Sequence, residues 1–333
     1  MVAAMRGEKL YPLQFIPVYK DYIWGGRKIG ERYNRESAPD CCAESWEIAD
    51  RVDGMSVVAN GSLAGTTLRQ LMQTIPEDLL GTRGHSEFPL LVKIIDAAKH
   101  LSIQVHPDDD SSKKHGGDAK TEMWYLLDTD DGACVYAGTV RGVTPDRFRV
   151  ALEDDDLAPL LQRTPVQKGD IILVPGGRVH AIGAGCLLLE VQQNSNTTYR
   201  VYDWGRLGHD GKPRELHIDK AFEVINWDDQ TPQKMSPTPI EESPTLQSWE
   251  VLKCPYFVMQ RIVLAGTLTL SETLEQCHIL FGLRGTARIS TNNVDATIMP
   301  GSSTLLPASV RNYEIVSDGR ELEIIKIVPL SAN

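Results

Sequence analysis

Short apolar segments of strand length, separated by turn-forming residues, are the feature that most restricts what this 333-residue chain can fold into. Such segments are PLLVKIID (89–96), LSIQVH (101–106), MWYLLD (123–128), DIILVP (170–175), CLLLEVQ (186–192), HILFGL (278–283), ARIST (287–291) and LEIIKIV (322–328). Glycine, proline, asparagine and aspartate bound them, and these residues favour turns. The pattern predicts an all-β barrel or sandwich that carries a few helical insertions.

Helix signals are few in this sequence. Thr144 followed by Pro145 is typical of a helix N-terminus, with the threonine as N-cap and the proline at the first helical position. We therefore expect a short helical insertion at about 144–163. A second short helix is predicted at 68–72, and the acidic run at 108–110 is predicted to be a solvated turn.

Two segments of the chain share one order of features. Residues 168–175 form a turn and a short apolar strand that ends in proline, and His180 follows five residues later. Residues 299–307 repeat this layout, with Asn312 in the place of His180. Each is preceded by a similar apolar segment, TEMWYLL or CHILFGL. The repetition indicates a degenerate duplication of one β-barrel unit, with the chemistry in the first copy.

A polar stretch separates the two copies. Residues 228–248, DDQTPQKMSPTPIEESPTLQS, are rich in proline, serine, threonine and glutamate and poor in apolar residues. This composition is typical of a connecting loop or linker. We therefore predict a domain boundary near residue 240, with one domain at 1–240 and a second at 241–333.

The charge balance restricts the partners of the chain. Lys and Arg total 34 against 45 Asp and Glu, so the net charge of −11 argues against non-specific binding to nucleic acid or to an anionic membrane. No apolar run reaches the length of a membrane span, and the N-terminal stretch MVAAMRGEKLYPLQF lacks the apolar core of a signal peptide. We expect a cytoplasmic protein whose six cysteines, without any CxxC pair, are reduced.

Four polar side chains occur at the edges of the predicted strands of the first copy. Gln104 and His106 are two apart in one strand and share a face. Glu122 opens the next strand, and His180 follows a Pro-Gly-Gly loop. Taken alone, the Gln-Val-His segment also fits a strand whose polar side faces water. Two imidazoles, a carboxylate and an amide oxygen together suit a divalent ion such as Zn²⁺, Fe²⁺, Mn²⁺ or Co²⁺.

A polar loop follows the strand at 187–193. The segment NSNTTYRVYDWGR (194–206) concentrates two arginines, two tyrosines, a tryptophan and an aspartate. Loops at barrel mouths often carry function, although a well-ordered polar loop fits the pattern too. Other histidines, His217 among them, lie in polar segments and are predicted to be surface groups, and His278 in the second copy lacks metal-binding partners.

The four segments KDYIWGGRKIG (20–30), LSIQVHPDD (101–109), KTEMWYLL (120–127) and VPGGRVHAIGAGCLLLEVQQNSNTTYRVYDWGR (174–206) together carry a resemblance. They resemble class I mannose-6-phosphate isomerase (phosphomannose isomerase), most closely its short bacterial form. The match covers the first two thirds of the chain, and the C-terminal part resembles the family mainly in layout. Four ordered motifs at family-like spacing make the resemblance specific.

The resemblance implies an all-β dominated, tandem cupin fold, that is, two double-stranded β-helix or jelly-roll barrels, with a small helical insertion. Residues 1–240 would form the catalytic cupin domain and 241–333 a metal-free cupin-like domain. The implied reaction interconverts mannose 6-phosphate and fructose 6-phosphate by proton transfer through a cis-enediol or enediolate. The implied cofactor is one Zn²⁺ per chain, with other divalent transition metals as alternatives, and the implied partner is a sugar phosphate bound by a monomer or homodimer.

The resemblance also assigns residues. The family's metal ligands fall on Gln104, His106, Glu122 and His180, and its catalytic arginine falls on Arg200. The family's substrate-binding and pocket positions fall on Trp24, Lys93, Ser102, Lys120, Glu190 and, at a position that is usually lysine, Arg206. Lys93, Ser102 and Lys120 are candidates for holding the phosphate. The general base stays open between Lys120, Glu190 and an ordered water.

Two other functions compete with this interpretation. His106, Glu122 and His180 could form the facial triad of a cupin Fe²⁺ oxygenase. The chain could also be a non-enzymatic, metal-containing cupin that binds a sugar phosphate. Gln104, as a fourth ligand, would fill a position that an oxygenase leaves open, and the basic residues would have no purpose in that account.

Overall fold

The computed structural model describes residues 9–81, 85–270, 275–291, 294–310 and 312–330. The predicted lack of a signal peptide concerns in part residues 1–8, which lie outside the described residues. Within the described ranges, none of the helices has the length and apolar composition that crossing a membrane requires.

Strands dominate the chain. They are β1 Leu13–Ile16, β2 Val18–Lys20, β3 Glu44–Ile48, β4 Asp50–Arg51, β5 Gly54–Met55, β6 Val57–Val58, β7 Leu90–Ala97, β8 Ile103–Val105, β9 Glu122–Thr129, β10 Cys134–Thr139, β11 Leu161–Pro165, β12 Ile171–Val174, β13 His180–Ile182, β14 Cys186–Gln193, β15 Tyr199–Tyr202, β16 Thr238–Glu242, β17 Leu246–Lys253, β18 Phe257–Leu264, β19 Thr267–Leu270, β20 His278–Arg284, β21 Ala287–Ser290, β22 Ala296–Ile298, β23 Ser303–Leu306, β24 Tyr313–Ser317 and β25 Leu322–Pro329. The helices are α1 Lys28–Tyr33, α2 Leu68–Thr74, α3 Pro76–Leu80, α4 Asp109–His115, α5 Pro145–Glu153 and α6 Ile218–Val224, with one 3₁₀ turn at Ala158–Leu160.

The chain forms two compact units. The first unit contains Tyr19–Ser45 and Val92–Met235, and the second contains the described residues of Met1–Val18, Trp46–Leu91 and Ser236–Asn333. The chain passes from one unit to the other within β2, β3 and β7, and again after Met235. The domain limits predicted from the sequence, 1–240 and 241–333, stay a prediction.

The first unit is built around two antiparallel sheets. One has the order β12-β9-β14-β7 and continues into β3 and β2, and the other has the order β11-β10-β13-β8-β15. Leu126, Ile172 and Leu188 from the first sheet pack in one buried cluster with Val135 and Ala137 from the second. Because apolar side chains from both sheets share this core, the two sheets form a jelly-roll barrel.

The second unit repeats the same strand order. Its sheets contain the successions β23-β20-β25-β18 and β22-β21-β24-β19. The eight consecutive strands β7 to β14 therefore correspond one by one to β18 to β25. This repetition confirms the predicted duplication and the all-β, tandem-barrel fold class.

Both predicted helices are present, and the helices α1, α3, α4 and α6 were not predicted. The Thr144 side chain accepts a hydrogen bond from the Arg147 amide at 3.3 Å and caps α5, which lies in the predicted insertion at 144–163. Helix α2 occupies the second predicted position. The solvated turn predicted at 108–110 is wrong, because Asp108 instead caps α4 through the Ser111 amide. Helix α4 buries no side chain, so no apolar periodicity marked it in the sequence.

The predicted linker at 228–248 is wrong in part. Its C-terminal half forms β16 and the beginning of β17. All five residues of β16 are exposed, and β16 pairs with β17 alone at the edge of its sheet. Backbone pairing rather than burial of an apolar face forms this strand, which explains why its composition is that of a loop.

Candidate active site

Three predicted ligands meet at the ends of neighbouring strands of the first unit. His106 directly follows β8, Glu122 begins β9 and His180 begins β13. The His106 Nε2 lies 3.5 Å from Glu122 Oε2, and the His180 Nε2 lies 3.3 Å from Glu122 Oε1. All three side chains are buried, and one nitrogen or oxygen from each lies within 4.8 Å of the others. The group can hold one metal ion.

A tight loop fixes the approach of His180 to His106. Gly177 has a φ of +85°, a backbone conformation that glycine adopts without steric cost. Its amide donates to the His106 carbonyl at 2.7 Å. The Pro-Gly-Gly segment before β13 therefore ties the two ligand-bearing backbone segments together.

Backbone carbonyls set the tautomers of both histidines. The His106 Nδ1 lies 2.7 Å from the Thr197 carbonyl oxygen, and the His180 Nδ1 lies 2.8 Å from the Arg178 carbonyl oxygen. Since a carbonyl only accepts, each Nδ1 carries the hydrogen and each Nε2 presents a lone pair. Burial lowers the pKa of His106 well below its usual value and that of His180 to about 3. Both rings are therefore neutral at pH 7, as metal binding requires.

Glu122 completes this donor set. Burial, and after it the nearby Glu190 carboxylate, raise the pKa of Glu122 to about 7, against the opposing effect of Lys120. Its Oε2 is buried and, within the described residues, accepts no hydrogen bond, although the Lys120 Nζ lies 2.8 Å away. A carboxylate oxygen and two imidazole lone pairs around one point suit a divalent transition metal.

Gln104 reaches the same cluster. It lies on β8 opposite His180 in the strand register, and its Nε2 is 3.4 Å from the His180 Nε2. The Ser102 hydroxyl donates to the Gln104 Oε1 at 3.2 Å. The amide is therefore placed beside the three predicted ligands, with its nitrogen in contact with His180.

A cavity of about 280 Å³ opens beside Glu122. Its lining contains eight of the predicted site residues, Trp24, Lys93, Ser102, Gln104, Lys120, Glu122, Glu190 and Arg200. His106 and His180 contact Glu122 but do not line the cavity. The structure thus brings all but one of the predicted residues to one place.

Both lysines of the cavity form ion pairs with carboxylates. The Lys93 Nζ lies 3.0 Å from Glu190 Oε1 and 3.5 Å from Glu44 Oε2. Burial favours a lower pKa for Lys93, but these two carboxylates outweigh it and raise the pKa. The Lys120 Nζ lies between Glu122 Oε2, at 2.8 Å, and the His106 Nε2, at 3.1 Å.

Glu190 is held as a carboxylate. The Trp124 indole donates to its Oε2 at 3.0 Å, and Lys93 pairs with its Oε1. Burial favours a higher pKa for Glu190, but Lys93 and Lys120 outweigh it, so its pKa is lowered. Of the three carboxylates in the cavity lining, Glu44, Glu122 and Glu190, the group of Glu190 is ionised more readily than that of Glu122.

Arg200 enters the cavity from β15. Its Nε donates to the Ser102 hydroxyl at 3.3 Å and its Nη1 to the Glu215 carbonyl at 2.8 Å. Burial, and after it the neighbouring Arg214, lower the pKa of Arg200. The guanidinium nevertheless remains charged at pH 7, because arginine starts from a very high pKa.

Arg206 is the predicted residue that does not line the cavity. Its guanidinium donates to the His100 carbonyl and to the carbonyl and carboxylate of Asp203. Arg214 and His217, which the sequence analysis missed, line the cavity instead. They lie in the segment GHDGKPRELH, whose glycines and proline indicate only a loop. His217, predicted to be a surface group, is partly exposed and lines the cavity.

Comparison with known proteins gives a consistent result. The family model "Phosphomannose isomerase type I, catalytic domain" matches residues 12–139, and "Mannose-6-phosphate isomerase, cupin domain" matches residues 248–328. Mannose-6-phosphate isomerase ManA of Bacillus subtilis (strain 168) is 35% identical over 306 residues, which cover 91% of this chain and 95% of that protein. Mannose-6-phosphate isomerase of Streptococcus mutans is 33% identical over 91% of this chain and 93% of its own length.

Solved structures show the same fold. The crystal structure of mannose 6-phosphate isomerase from Bacillus subtilis superposes with a TM-score of 0.87 at 29% identity and covers 96% of this chain and 99% of that one. The sequence similarity extends over both barrels, and the predicted ligands form one buried cluster beside a cavity. The chain belongs to the type I phosphomannose isomerase family.

Proposed function

We propose that this chain is a metal-dependent aldose–ketose isomerase that interconverts mannose 6-phosphate and fructose 6-phosphate. The observation that carries the proposal is the buried cluster of His106, Glu122 and His180 beside a cavity that also contains Arg200, in a chain of this family. We expect the chain to act in the cytoplasm as a monomer or homodimer.

The metal would be held by four side chains. The Nε2 atoms of His106 and His180, a Glu122 oxygen and the Gln104 amide oxygen are the proposed ligands, and Gln104 must turn its amide over to present that oxygen. The nitrogen and oxygen donors suit one Zn²⁺ per chain. Such an ion supplies positive charge close to the sugar oxygens on which negative charge develops.

Arg200 is the proposed oxyanion-stabilising residue. Moving a proton between C2 and C1 of the sugar passes through an enediolate, so negative charge grows on the two oxygens of those carbons. A guanidinium held by Ser102 and the Glu215 carbonyl offers donors that need no rearrangement when this charge forms. It stabilises the transition state more than the bound sugar, which is the condition for catalysis.

Lys120 and Glu190 are the two protein groups proposed to carry the proton. Both line the cavity, and Glu190 is held ionised by Lys93 and Trp124. Lys120 lies against Glu122 and His106, next to the proposed metal position. We expect a Glu190→Gln variant to lose turnover and retain metal if Glu190 is the base, whereas a Lys120→Met variant would do so if Lys120 is the base.

The rest of the cavity would bind the sugar. Lys93, Ser102 and Trp24 are proposed to contact the substrate, in keeping with their place in the lining. The role predicted for Arg206 has less support, because its guanidinium is bound to His100 and Asp203 outside the cavity lining.

The second barrel is proposed to be structural and metal-free. Its counterpart of β9 begins with His278, and its counterpart of β13 begins with Tyr313. The His278 Nδ1 lies 3.1 Å from the Tyr313 hydroxyl. Over the described ranges, the group formed by His106, Glu122 and His180 is the one metal-binding cluster that was found.

An Fe²⁺ oxygenase would use the same three ligands, but it leaves other features without a role. Gln104 would occupy a coordination position that oxygen needs, and the cations Lys120 and Arg200 would serve no purpose. Oxygen uptake by the Fe²⁺-loaded protein would support this alternative.

The test is a coupled assay that follows the formation of fructose 6-phosphate from mannose 6-phosphate. It is run on one sample before chelation, after chelation and after Zn²⁺ is restored, with metal analysis at each step. We expect turnover to disappear and return together with the metal. No turnover at full Zn²⁺ occupancy would overturn the proposal.

A further inference from the structure

The loop between β15 and α6 returns to the cavity and brings a second arginine with it. The His217 amide donates to the Arg200 carbonyl at 2.7 Å, and the Arg200 amide donates to the His217 Nδ1 at 3.2 Å. These contacts pair the end of the loop with the strand that carries Arg200. Arg214 and His217 consequently lie in the cavity lining.

A buried carboxylate orients Arg214. Asp203 is 6% exposed, and Arg214 donates to both of its oxygens, with the Nε at 2.7 Å from Oδ2. Arg206 donates to the same carboxylate from another direction. Burial favours a higher pKa for Asp203, but the bonds from the two arginines outweigh it and lower the pKa. Asp203 is therefore an ionised group that fixes the position of Arg214.

This end of the cavity has an excess of positive charge. The guanidinium groups of Arg206 and Arg214 donate to the buried Asp203 carboxylate, and the charge of Arg200 is near enough to interact with it. Over the described residues, the Arg214 Nη1 has no hydrogen-bond or ion-pair partner. Since the His217 Nδ1 accepts from a backbone amide, its Nε2 carries the hydrogen and is a further donor, with the exposed Glu215 carboxylate 3.8 Å away.

The metal end of the cavity has the opposite character. Its two lysines are paired with carboxylates, Lys93 with Glu190 and Lys120 with Glu122. A dianionic group placed there would face these carboxylates and would have to displace their partners. The phosphate of a hexose 6-phosphate lies on C6, at the other end of the molecule from the reacting carbons C1 and C2. A sugar with C1 and C2 at the metal therefore directs its phosphate away from the lysines.

We propose that Arg214 binds the phosphate group of the substrate, together with the His217 Nε2, and that Asp203 is the residue that positions Arg214. The inference rests on the proposed function and deepens it. Arg206 then acts through Asp203 and does not touch the substrate. Lys93 and Lys120, which the resemblance made candidates for holding the phosphate, would instead pair with carboxylates and contact the sugar.

The test compares variants at Arg214 with a matched control. Arg214→Met keeps the volume and removes the charge, Arg214→Lys keeps the charge and removes the planar fork, and Arg141→Ala changes an exposed arginine outside the cavity. Two measurements are made on the metal-loaded protein: KM and kcat for mannose 6-phosphate, and the dissociation constant of inorganic phosphate by calorimetry. Metal content is determined for each sample.

We expect Arg214→Met to raise KM and the phosphate dissociation constant by about tenfold or more, with kcat within about threefold and the metal retained. Arg214→Lys should recover part of the loss, and Arg141→Ala should match the wild type. Asp203→Asn should also raise KM, and its kcat should fall much less. A general loss of structure would lower kcat as well.

Unchanged phosphate affinity in both Arg214 variants would overturn the inference, and so would a larger loss of phosphate affinity in Lys93→Ala than in Arg214→Met. The phosphate titration needs no turnover. If the wild type binds phosphate through Arg214 but does not isomerise the sugar, the proposed function fails while the binding site stands. If it isomerises the sugar and Arg214→Met binds phosphate normally, only this inference fails.

Discussion

Single hydrogen bonds decide the chemistry of the cluster at the scale of the residue. The carbonyls of Thr197 and Arg178 accept from the Nδ1 atoms of His106 and His180, and this leaves both Nε2 lone pairs directed at Glu122. Backbone groups do not titrate, so the orientation of both rings holds over a wide pH range. Glu122 is the member of the group whose protonation changes near neutral pH.

Metal affinity should therefore depend on pH through Glu122. Its pKa of about 7 in the metal-free protein means that a proton competes with the metal below pH 7. We expect the affinity of the apoprotein for Zn²⁺ to be nearly constant above pH 7.5 and to fall by about tenfold per pH unit below pH 7. A competition titration with a chromophoric chelator of known pH dependence measures this.

His180→Ala is the control for that titration, since it removes a ligand and should weaken binding at every pH. An affinity for Zn²⁺ in the unsubstituted protein that does not change between pH 8 and pH 6 would contradict the assignment of Glu122 as the titrating ligand.

Arg200 should act on turnover and not on metal binding. It contacts Ser102 and the Glu215 carbonyl and none of the three clustered ligands. We expect Arg200→Ala to retain stoichiometric metal and to lower kcat by about a hundredfold or more, as the loss of an oxyanion-stabilising donor does. Steady-state kinetics and metal analysis on the same sample measure both effects, and a kcat near that of the wild type would remove Arg200 from the mechanism.

Loops rather than strands decide the outer part of the site at the scale of the element. The segment between β15 and α6 contains Arg214 and His217, and the segment before β13 positions His180 close to His106. A single buried side chain, Arg178, fixes the segment that follows α6. Its guanidinium donates to the carbonyls of residues 137, 173, 231 and 232 and pairs with Asp229 at 3.1 Å.

Replacing Arg178 should destabilise the fold strongly. Arg178→Met leaves the buried Asp229 carboxylate without its partner and several carbonyls without a donor. We expect a loss of about 3–5 kcal/mol in the free energy of unfolding, the usual cost of breaking a buried ion pair. Denaturant unfolding of the metal-free protein measures it.

Two further variants make this measurement specific. Arg141→Ala, at an exposed position, should change the stability by less than about 0.5 kcal/mol. The double variant R178M/D229N should recover part of the loss, because the unpaired charge is gone. A loss below about 1 kcal/mol for Arg178→Met alone would show that the ion pair does not hold this segment.

The same strand order occurs twice in the whole molecule, and the residues that open the equivalent strands differ between the two copies. In the first copy the strand-opening residues Glu122 and His180 approach to 3.3 Å and form part of the candidate metal-binding group. In the second copy His278 and Tyr313 occupy the opening positions and contact each other. Burial, and after it Lys326, lower the pKa of His278 to about 4. The second barrel therefore contains a neutral histidine whose protonation at acidic pH destabilises the folded chain.

His278 should make the folded chain less stable as the pH falls. The unfolded chain binds a proton at this residue below pH 6.5, whereas the folded chain does so only near pH 4, so stability is lost between these values. We expect His278 to account for about 2 kcal/mol of the stability lost between pH 7.5 and pH 5. Denaturant unfolding of wild type and His278→Gln at both pH values isolates this contribution.

His209→Gln, at an exposed histidine, is the matched control and should keep the pH dependence of the wild type. Equal pH dependence in His278→Gln and the wild type would show that His278 is protonated in the folded chain as readily as in the unfolded one.

The sequence by itself determined the fold class, the duplication and the three side chains that cluster at the candidate metal site. Apolar segments of strand length predicted eight of the strands, β7, β8, β9, β12, β14, β20, β21 and β25. The two-residue repeat of a strand placed Gln104 and His106 on one face. Glu122 and His180 could be placed because each opens a strand, and the family motifs carry the same four residues. Helix α4 and strand β16 were not predicted from the sequence because neither buries an apolar face.

Only the tertiary structure decided which cations face the cavity and which are already paired. Arg206 and Arg214 are both basic residues of one loop, yet only Arg214 lines the cavity. Lys93 is paired with Glu190, which is far away in sequence, and Lys120 is paired with Glu122. The physical reason is the distance along the sequence over which each structural feature is determined. The backbone repeat dictates where neighbouring side chains of a strand point, whereas the return of a loop depends on contacts with distant parts of the chain, such as that of Arg206 with the His100 carbonyl.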